Sequence, residues 1–342
     1  MRVPFEDLRA ELERVLAAVG FATDRAAVAA RLFAEASLDG VASHGLNRFP
    51  RFIRQVRAGI VDPAAEPALV ESCRAWERWD GRRGAGNLNA WTCTDRAIAL
   101  ARLHAVGCVG LANTNHWMRG GTYGWQTASA GCALLAWTNT MPNMAPWGAR
   151  EPRLGNNPLV VAVPRDDAPV VLDMAMSQFS YGRLEGLSGS GLPTPVSGGW
   201  DERGQLTTDP AAILRSGRVL PTGYWKGSAL ALVLDLLAMT VSGGRATLEI
   251  PPDPERETGL SQVFLAIDVG RSAASADLAD RVTAVINDLV ATPPVDRGEP
   301  VRYPGERVLR ARHENLERGV PVDEAIWREV CALPDGLAAP RR

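Results

Sequence analysis

The chain has 342 residues, of which 46% are hydrophobic and 22% are charged. This balance is that of an ordinary globular protein of about two domains, and it excludes a disordered, collagen-like or coiled-coil chain. The 39 acidic residues nearly match the 37 basic ones, so no basic excess indicates nucleic acid or an anionic membrane surface as a partner.

The first part of the chain is predicted to be helical. Apolar residues recur there at helical spacing, which predicts helices over 5–19, from just after Thr23 to about Leu38, and over 46–58. Further on, short runs rich in Val, Leu and Ala alternate with helical stretches. These runs predict strands near 106–112, 132–138, 158–163, 169–173 and 262–269, with helices near 87–104 and 121–130.

The second half adds more helices to this pattern. Residues 185–223 are rich in Gly, Ser, Pro and Thr, which predicts a long ordered loop with a short helix near 210–215. A strongly apolar helix follows over about 226–241, and a polar, proline-marked linker covers 250–258. The last predicted helices lie at about 275–291, 305–318 and 322–331.

Helices at both ends and a mixed centre predict an α/β fold, with a mixed-sheet domain and a helical domain formed from both termini. The predicted division is helical for 1–66, mixed α/β for 67–220, helical for 221–258, α/β again for 259–292 and helical for 293–342.

The sequence also bears on location. No apolar signal core begins the chain, and no stretch approaches 18 consecutive apolar residues. The five cysteines lack C-x-x-C spacing, which fits free thiols in a reducing compartment. We therefore expect a cytoplasmic protein without a membrane partner.

His44 begins the first candidate site, in the segment Ser43-His44-Gly45-Leu46-Asn47-Arg48. If this turn is helical, His44 and Arg48 share a face. A guanidinium holds a carboxylate bidentately, and an imidazole one turn away protonates the neighbouring carbonyl oxygen as it becomes an alkoxide. The pair suits a 2-oxo acid, and the alternative is a serine N-cap with an incidental histidine.

His116 is the second candidate. It follows a predicted strand and precedes Gly120 and Gly121, and such strand ends commonly carry sites in α/β sheets. The alternative is a loop residue satisfied by backbone groups. The other histidines, His104 and His313, fit a helix end and a solvated helix face.

Lys226 is the only lysine among the 37 basic residues, so 36 are arginines. Arginine replaces lysine where a solvated charge is enough, but it does not replace a compact ammonium in a tight site. Lys226 is therefore a candidate for a specific contact, against the alternative of a chance survivor.

Several common motifs are absent from the sequence. No G-x-G-x-x-G follows a predicted strand, and no Walker loop or G-x-S-x-G elbow occurs. Ser43 and His44 are adjacent and would not face each other on a helix, which disfavours a nucleophile pair. No clustered His, Cys or carboxylate spacing predicts a metal.

Seven stretches together resemble the malate/L-lactate dehydrogenase superfamily, whose members bind NAD(P) without a Rossmann domain. NHWMRGGTYGWQ (115–126) is most similar to the 2,3-diketo-L-gulonate reductase branch, rather than to the malate, lactate or ureidoglycolate branches. The other stretches follow in order over almost the whole chain, at 43–55, 146–159, 172–182, 220–235, 259–268 and 303–307.

The resemblance implies a homodimer that reduces a small 2-oxo acid with NAD(P)H, with NADH the favoured form. It implies His44 as proton donor, His116 as the acid/base histidine of other branches, and Arg48 with Ser43 as substrate ligands. It also implies cofactor contacts at Thr140, at Val170, Val171, Leu172, Asp173, Met174 and Ala175, at Trp225 and Lys226, and at Gly305, Glu306 and Arg307.

Two readings from other classes stay open on the residues alone. One is a hydrolase that uses Ser43 and His44 and needs no cofactor. The other is an acid- or sugar-binding protein without turnover.

Overall fold

The computed structural model describes residues 1–166, 168–271, 275–295 and 298–333. Its helices are α1 (Phe5–Ala18), α2 (Thr23–Leu38), α3 (Phe49–Arg57), α4 (Gly86–His104), α5 (Gly121–Ser129), α6 (Tyr181–Gly189), α7 (Pro210–Ser216), α8 (Trp225–Ser242), α9 (Ser275–Val290), α10 (Glu306–Arg318) and α11 (Glu324–Ala332). Its strands are β1 (Arg2–Val3), β2 (Ala68–Cys73), β3 (Trp76–Asp80), β4 (Val106–Thr114), β5 (Cys132–Thr138), β6 (Leu159–Val163), β7 (Val170–Met174), β8 (Gly199–Trp200), β9 (Leu206–Thr207), β10 (Leu260–Asp268) and β11 (Val320–Pro321).

A seven-stranded mixed sheet forms the centre, in the order β2-β3-β4-β10-β5-β6-β7. The β3–β4 pair is parallel and the other pairs are antiparallel. The predicted α/β class with a mixed sheet is confirmed. In this order β4, β5 and β7 end at the same edge at which β6 and β10 begin, so the chain segments there come together from distant parts of the sequence.

The two termini share one hydrophobic core. α1, α2 and α3 pack their apolar faces together, and Val320 and Val330 from the C-terminal part lie in the same cluster. β1 pairs with β11 through Val3 and Val320, which ties the two ends of the described chain. The boundaries predicted for a helical domain remain a prediction.

The prediction grouped residues 221–258, which include α8, with the terminal helices. In the structure α8 packs on the central sheet instead. Ala231, Leu234 and Ala238 share a core with Val263 of β10, and the helix contacts β4, β5 and β10. The physical reason is its apolar composition, which the sheet face buries. By length and composition α8 is also apolar enough to cross a membrane, because the face turned away from the sheet is apolar too.

Several elements escaped the sequence prediction, namely the two-residue strands β1, β8, β9 and β11, the β2–β3 hairpin and helix α6. The β2–β3 hairpin carries charges such as Glu77, which is buried only because Arg96 pairs with it at 2.8 Å. Helix α6 is rich in Gly and Ser, and it begins where the Ser180 side chain accepts the Arg183 backbone N–H. In both places local pairing or capping compensates for a weak apolar pattern.

Candidate active site

The residues predicted to carry chemistry meet at the edge where β4, β5 and β7 end. His116 follows β4, Thr140 follows β5, and the segment after β7 leads to α6. His44 reaches this edge from the helices of the N-terminal part, since a Cβ at Gly182 of α6 would come within 2.7 Å of the Ser43 Cβ. The sheet topology thus joins the two histidines, which are far apart in sequence.

His44 lies just before the helix, as expected, but the turn that links it to Arg48 is not α-helical, and α3 begins at Phe49 instead of near Leu46. Two separate 3-10 turns, Ala42–His44 and Leu46–Arg48, are divided by Gly45. A side chain at Gly45 would meet the Phe33 carbonyl oxygen at 2.8 Å, so close contact with α2 requires glycine there.

This local geometry corrects the argument made for Ser43. Its Oγ lies 3.0 Å from His44 Nδ1, although adjacent positions on an α-helix would not face each other. The tight 3-10 turn allows the contact. Ser43 therefore orients the imidazole ring, whichever of the two atoms carries the proton.

The two imidazoles are stacked, with ring centroids 5.8 Å apart and an interplanar angle of 28°. The Met118 backbone N–H donates to His116 Nδ1 at 3.0 Å. A neutral His116 must then carry its proton on Nε2, which makes that nitrogen a donor.

Both imidazoles lie in a positive and dry environment. Burial lowers the pKa of His44 from 6.5 to about 4, and the charges of Arg48 and Arg119 contribute to this shift. Burial also lowers the pKa of His116 well below its ordinary value, with Arg48 the next cause. Both rings are neutral at pH 7 before an anion enters.

Arg48 is largely buried, with an 18% exposed side chain. Its Nη2 donates to Glu257 Oε2 at 3.4 Å, while its Nε is buried with no partner. A buried guanidinium with an unused donor is suited to a ligand that brings acceptor oxygens.

Arg119, three residues after His116, is held by a second buried carboxylate. Asp39 at the end of α2 accepts from Arg119 Nη1 and from Arg312 Nε, the latter at 2.7 Å. The side chains of Arg119 and Asp39 are only 5% and 2% exposed. This cluster joins α2, the His116 loop and α10.

The predicted cofactor segments lie along β7, the edge strand of the sheet. Val170–Met174 is that strand, and Val171 N donates to the Pro304 carbonyl at 3.0 Å. Gly305 has a φ of +101°, and a Cβ there would come within 3.2 Å of Val171 N. The backbone of the 303–307 segment therefore lies directly against the strand, and a residue without a side chain is needed at Gly305 to allow this close contact.

The predicted residues that begin α8 and α10 flank this edge. Thr222 N donates to the Met176 carbonyl at 2.8 Å, which places Trp225 and Lys226 just beyond the end of β7. Trp225 is 61% exposed. Glu306 keeps one buried carboxylate oxygen without a partner, and Asp173 accepts the Gly121 N–H at 2.7 Å.

A cavity of about 600 Å³ opens beside the same segments. It lies between α2, α4, α5 and α10, next to Pro169 and Val308. Trp91 and Trp125 line it, together with three arginines and three carboxylates, and two of those arginines, Arg119 and Arg312, are paired with Asp39. The indole rings suit a planar ligand, and the charges of the lining balance one another.

Thr140 takes part in a buried polar network beyond β5. Its backbone N donates to Asn157 Oδ1 at 3.0 Å, and its hydroxyl contacts Asn156 Oδ1 at 3.1 Å. The next backbone N–H, of Met141, donates to Glu257 at 3.2 Å. Thr140 therefore lies one residue from the contact that reaches Arg48.

Comparison with known proteins places this chain in a family. The family model described as malate/L-lactate dehydrogenase matches residues 3–331. The chain belongs to the malate/L-lactate dehydrogenase family. The chain is accordingly an oxidoreductase that acts on a CH–OH or oxo group with a nicotinamide cofactor, and the predicted family and reaction class are confirmed.

Relatives in this family are similar over their full length. The 2,3-diketo-L-gulonate reductases of Citrobacter koseri and of an Escherichia coli strain are each 43% identical, over 97% of this chain and 100% of their own. Malate dehydrogenase from Pyrococcus horikoshii has a TM-score of 0.88 at 26% identity, covering 99% of this chain and 96% of its own. Sulfolactate dehydrogenase from Methanocaldococcus jannaschii has a TM-score of 0.89 at 27% identity, covering 98% of both chains.

Sequence reasoning missed the two carboxylates of the site, Asp39 and Glu257. Asp39 lies 80 residues from Arg119, and Glu257 lies 209 residues from Arg48. No local pattern marks either one, because only the folded sheet brings each to its arginine.

The lowered histidine pKa values predict a loss of stability in acid. A histidine with a folded-state pKa of about 4 stays neutral while the unfolded chain, near 6.5, takes up a proton. The contribution of neutral His44 to the free energy of unfolding is therefore present above pH 6.5, and it is lost as the pH falls from 6.5 toward 4. Between pH 7 and 5 we expect His44 to account for a loss of about 2 kcal/mol, measured by urea unfolding.

The control compares two substitutions over the same pH range. His44→Asn should remove this part of the pH dependence, whereas His104→Asn on the exposed end of α4 should not. Equal pH slopes for wild type and His44→Asn would contradict a neutral buried imidazole.

Proposed function

We propose that this enzyme reduces a small 2-oxo acid to its 2-hydroxy acid, with 2,3-diketo-L-gulonate the first candidate substrate. The observation that carries the proposal is a pair of stacked, half-buried imidazoles, His44 and His116, beside a largely buried arginine with an unused donor. The names of the 43% identical relatives support the substrate. A malate-, lactate- or ureidoglycolate-type substrate is the alternative within the family.

In the proposed mechanism Arg48 binds the substrate carboxylate through its free donors. His116 donates a hydrogen bond from Nε2 to the carbonyl oxygen and fixes its direction. When bound, the reduced nicotinamide supplies a hydride to the carbonyl carbon. His44 delivers a proton to the oxygen as it becomes an alkoxide.

Substrate binding prepares His44 for this role. The Arg48 charge is one cause of the low pKa of His44, and a carboxylate bound to Arg48 offsets that charge. Burial remains the larger cause of the low pKa of His44, and removal of the Arg48 contribution raises that pKa in part, so the bound anion favours uptake of the proton.

NADH is the proposed form of the cofactor, held along β7, at Thr140, at Lys226 and at 305–307. The buried, unpartnered oxygen of Glu306 suits a ribose hydroxyl and would repel a phosphate at the same place. The five cysteines are free thiols, which fits the reducing cytoplasm we propose as the location.

The two histidines are separated by turnover assays that follow NADH absorbance. We expect His44→Ala to lower kcat by about 10²–10⁴, and His116→Ala to raise KM more than it lowers kcat. The panel is 2,3-diketo-L-gulonate, pyruvate, oxaloacetate and oxalurate, each with NADH and with NADPH. The control is His313→Ala, on an exposed face of α10.

Near-wild-type turnover in His44→Ala would move the proton donor to His116. No turnover of any panel member by the wild-type enzyme would count against 2-oxo acid reduction as a whole.

Lys226 is tested by cofactor binding without turnover. We expect Lys226→Arg to weaken NADH binding about tenfold, the size of one lost charge-assisted hydrogen bond, because the broader guanidinium does not take the ammonium's place. Fluorescence titration with NADH and NADPH gives both dissociation constants. The control is Arg203→Lys in the exposed β8–β9 turn, and unchanged NADH binding in Lys226→Arg would reject the assignment.

A homodimer is the proposed assembly, formed through the outer face of α8. Leu230, Leu232, Val233, Leu236 and Leu237 are each 39–48% exposed on this face. Such a contiguous apolar face on one helix is typical of a subunit interface. The helix begins at Trp225 and Lys226, so this interface would lie beside the proposed cofactor site.

We expect wild type to have twice the chain mass of 36.7 kDa in light scattering after size exclusion. Leu236→Glu should give a monomer, since it would bury an unpaired charge at the interface. Leu103→Glu, at a 67% exposed position on α4, is the control. A monomeric wild type would refute the dimer.

A further inference from the structure

Glu257 has no role in the mechanism above, yet it is buried against the proposed substrate-binding arginine. Its side chain is 6% exposed. One carboxylate oxygen accepts from Arg48 Nη2 at 3.4 Å, and the other accepts the Met141 N–H at 3.2 Å. Both oxygens are therefore engaged at the active site, one on the substrate side and one on the segment after β5.

The position of Glu257 is built independently of Arg48. The linker before β10 is fixed to α3, where Glu255 pairs with Arg54 at 3.1 Å and Gln55 donates to the Pro254 carbonyl at 3.1 Å. On its other side Gly259 N donates to the Thr114 carbonyl at 2.9 Å, at the end of β4. Glu257 is thus held between two anchored points and presented to the arginine.

The geometry leaves Arg48 able to serve two carboxylates. A guanidinium has five N–H donors, and Glu257 uses one Nη2 contact while Nε stays buried without a partner. Burial lowers the pKa of Arg48, and Glu257 is the largest influence that raises it. Glu257 therefore stabilises the charge in a dry site without occupying every donor.

We propose that Glu257 is a positioning residue that holds the Arg48 guanidinium ready for the carboxylate of the substrate. This inference rests on the proposed reduction of a 2-oxo acid. Without Glu257 the arginine loses its anchor and turns toward solvent, and the site loses its selectivity for the carboxylate end of the substrate.

The test measures binding of oxamate, an inert 2-oxo acid analogue, to the enzyme–NADH complex by calorimetry. We expect Glu257→Gln to weaken the binding of oxamate about tenfold, which is the effect of losing one charge-assisted hydrogen bond. NADH affinity should stay within about twofold. The matched control is Glu77→Gln, which removes a buried, arginine-paired carboxylate on β3 whose partner is Arg96 and not Arg48.

A double-mutant cycle separates positioning from general damage. If Glu257 acts through Arg48, then Arg48→Gln combined with Glu257→Gln should bind oxamate no more weakly than Arg48→Gln alone. In turnover assays Glu257→Gln should also raise KM for the 2-oxo acid more than it lowers kcat, because the change affects the carboxylate-binding arginine and not the proton donor.

Three results would overturn the inference: unchanged oxamate binding in Glu257→Gln, tighter binding, which would make Glu257 only a competitor, or additive losses in the cycle. If Glu257→Gln does not fold, Glu257→Asp replaces it in the test, because aspartate keeps the charge on a shorter side chain. This variant should weaken the binding of oxamate and leave the binding of NADH unchanged. Wild type that neither binds oxamate nor reduces any 2-oxo acid would instead reject the proposed function.

Discussion

The site depends on two buried arginines, each held by one buried carboxylate, that surround two neutral imidazoles. Arg48 is paired with Glu257, and Arg119 is paired with Asp39. Burying a charge is costly unless a partner compensates it, so neither arginine would stay in this place alone. The pairing keeps the positive charges of Arg48 and Arg119 close to His44. As long as no anion is bound, these charges add to the effect of burial and lower the pKa of His44.

The mixed sheet makes this arrangement possible by inserting β10, the last strand of the sheet in sequence, between β4 and β5. The linker before β10 then arrives next to the end of β4, and Glu257 arrives with it. The terminal helices supply Asp39 and Arg48 from the opposite side. Each charged pair therefore joins the terminal helices to the sheet edge, and the active site is also the junction of the two cores.

Local pattern and long-range pairing explain what the sequence could predict. β5 has the predicted bounds, and α2 ends at the predicted Leu38 but already includes Thr23, because apolar periodicity decides both elements. The β2–β3 hairpin was missed because Glu77 interrupts its apolar run and needs Arg96 from α4. His44 and His116 were found separately by their neighbours in sequence, whereas their stacking and their carboxylate-held arginines arise only from chain segments that meet in the folded sheet.

The same electrostatic interactions affect both the stability of the ligand-free protein in acid and its proposed chemistry. A neutral imidazole beside Arg48 costs stability in acid, since the unfolded chain takes up a proton that the folded chain refuses. In the proposed mechanism a substrate carboxylate at Arg48 would remove part of that penalty and raise the proton affinity of His44. An uncharged carbonyl compound would bring no such compensation and would leave the ring neutral. Selectivity for an acid substrate and supply of the proton would then both follow from one interaction, the pairing of Arg48 with a carboxylate.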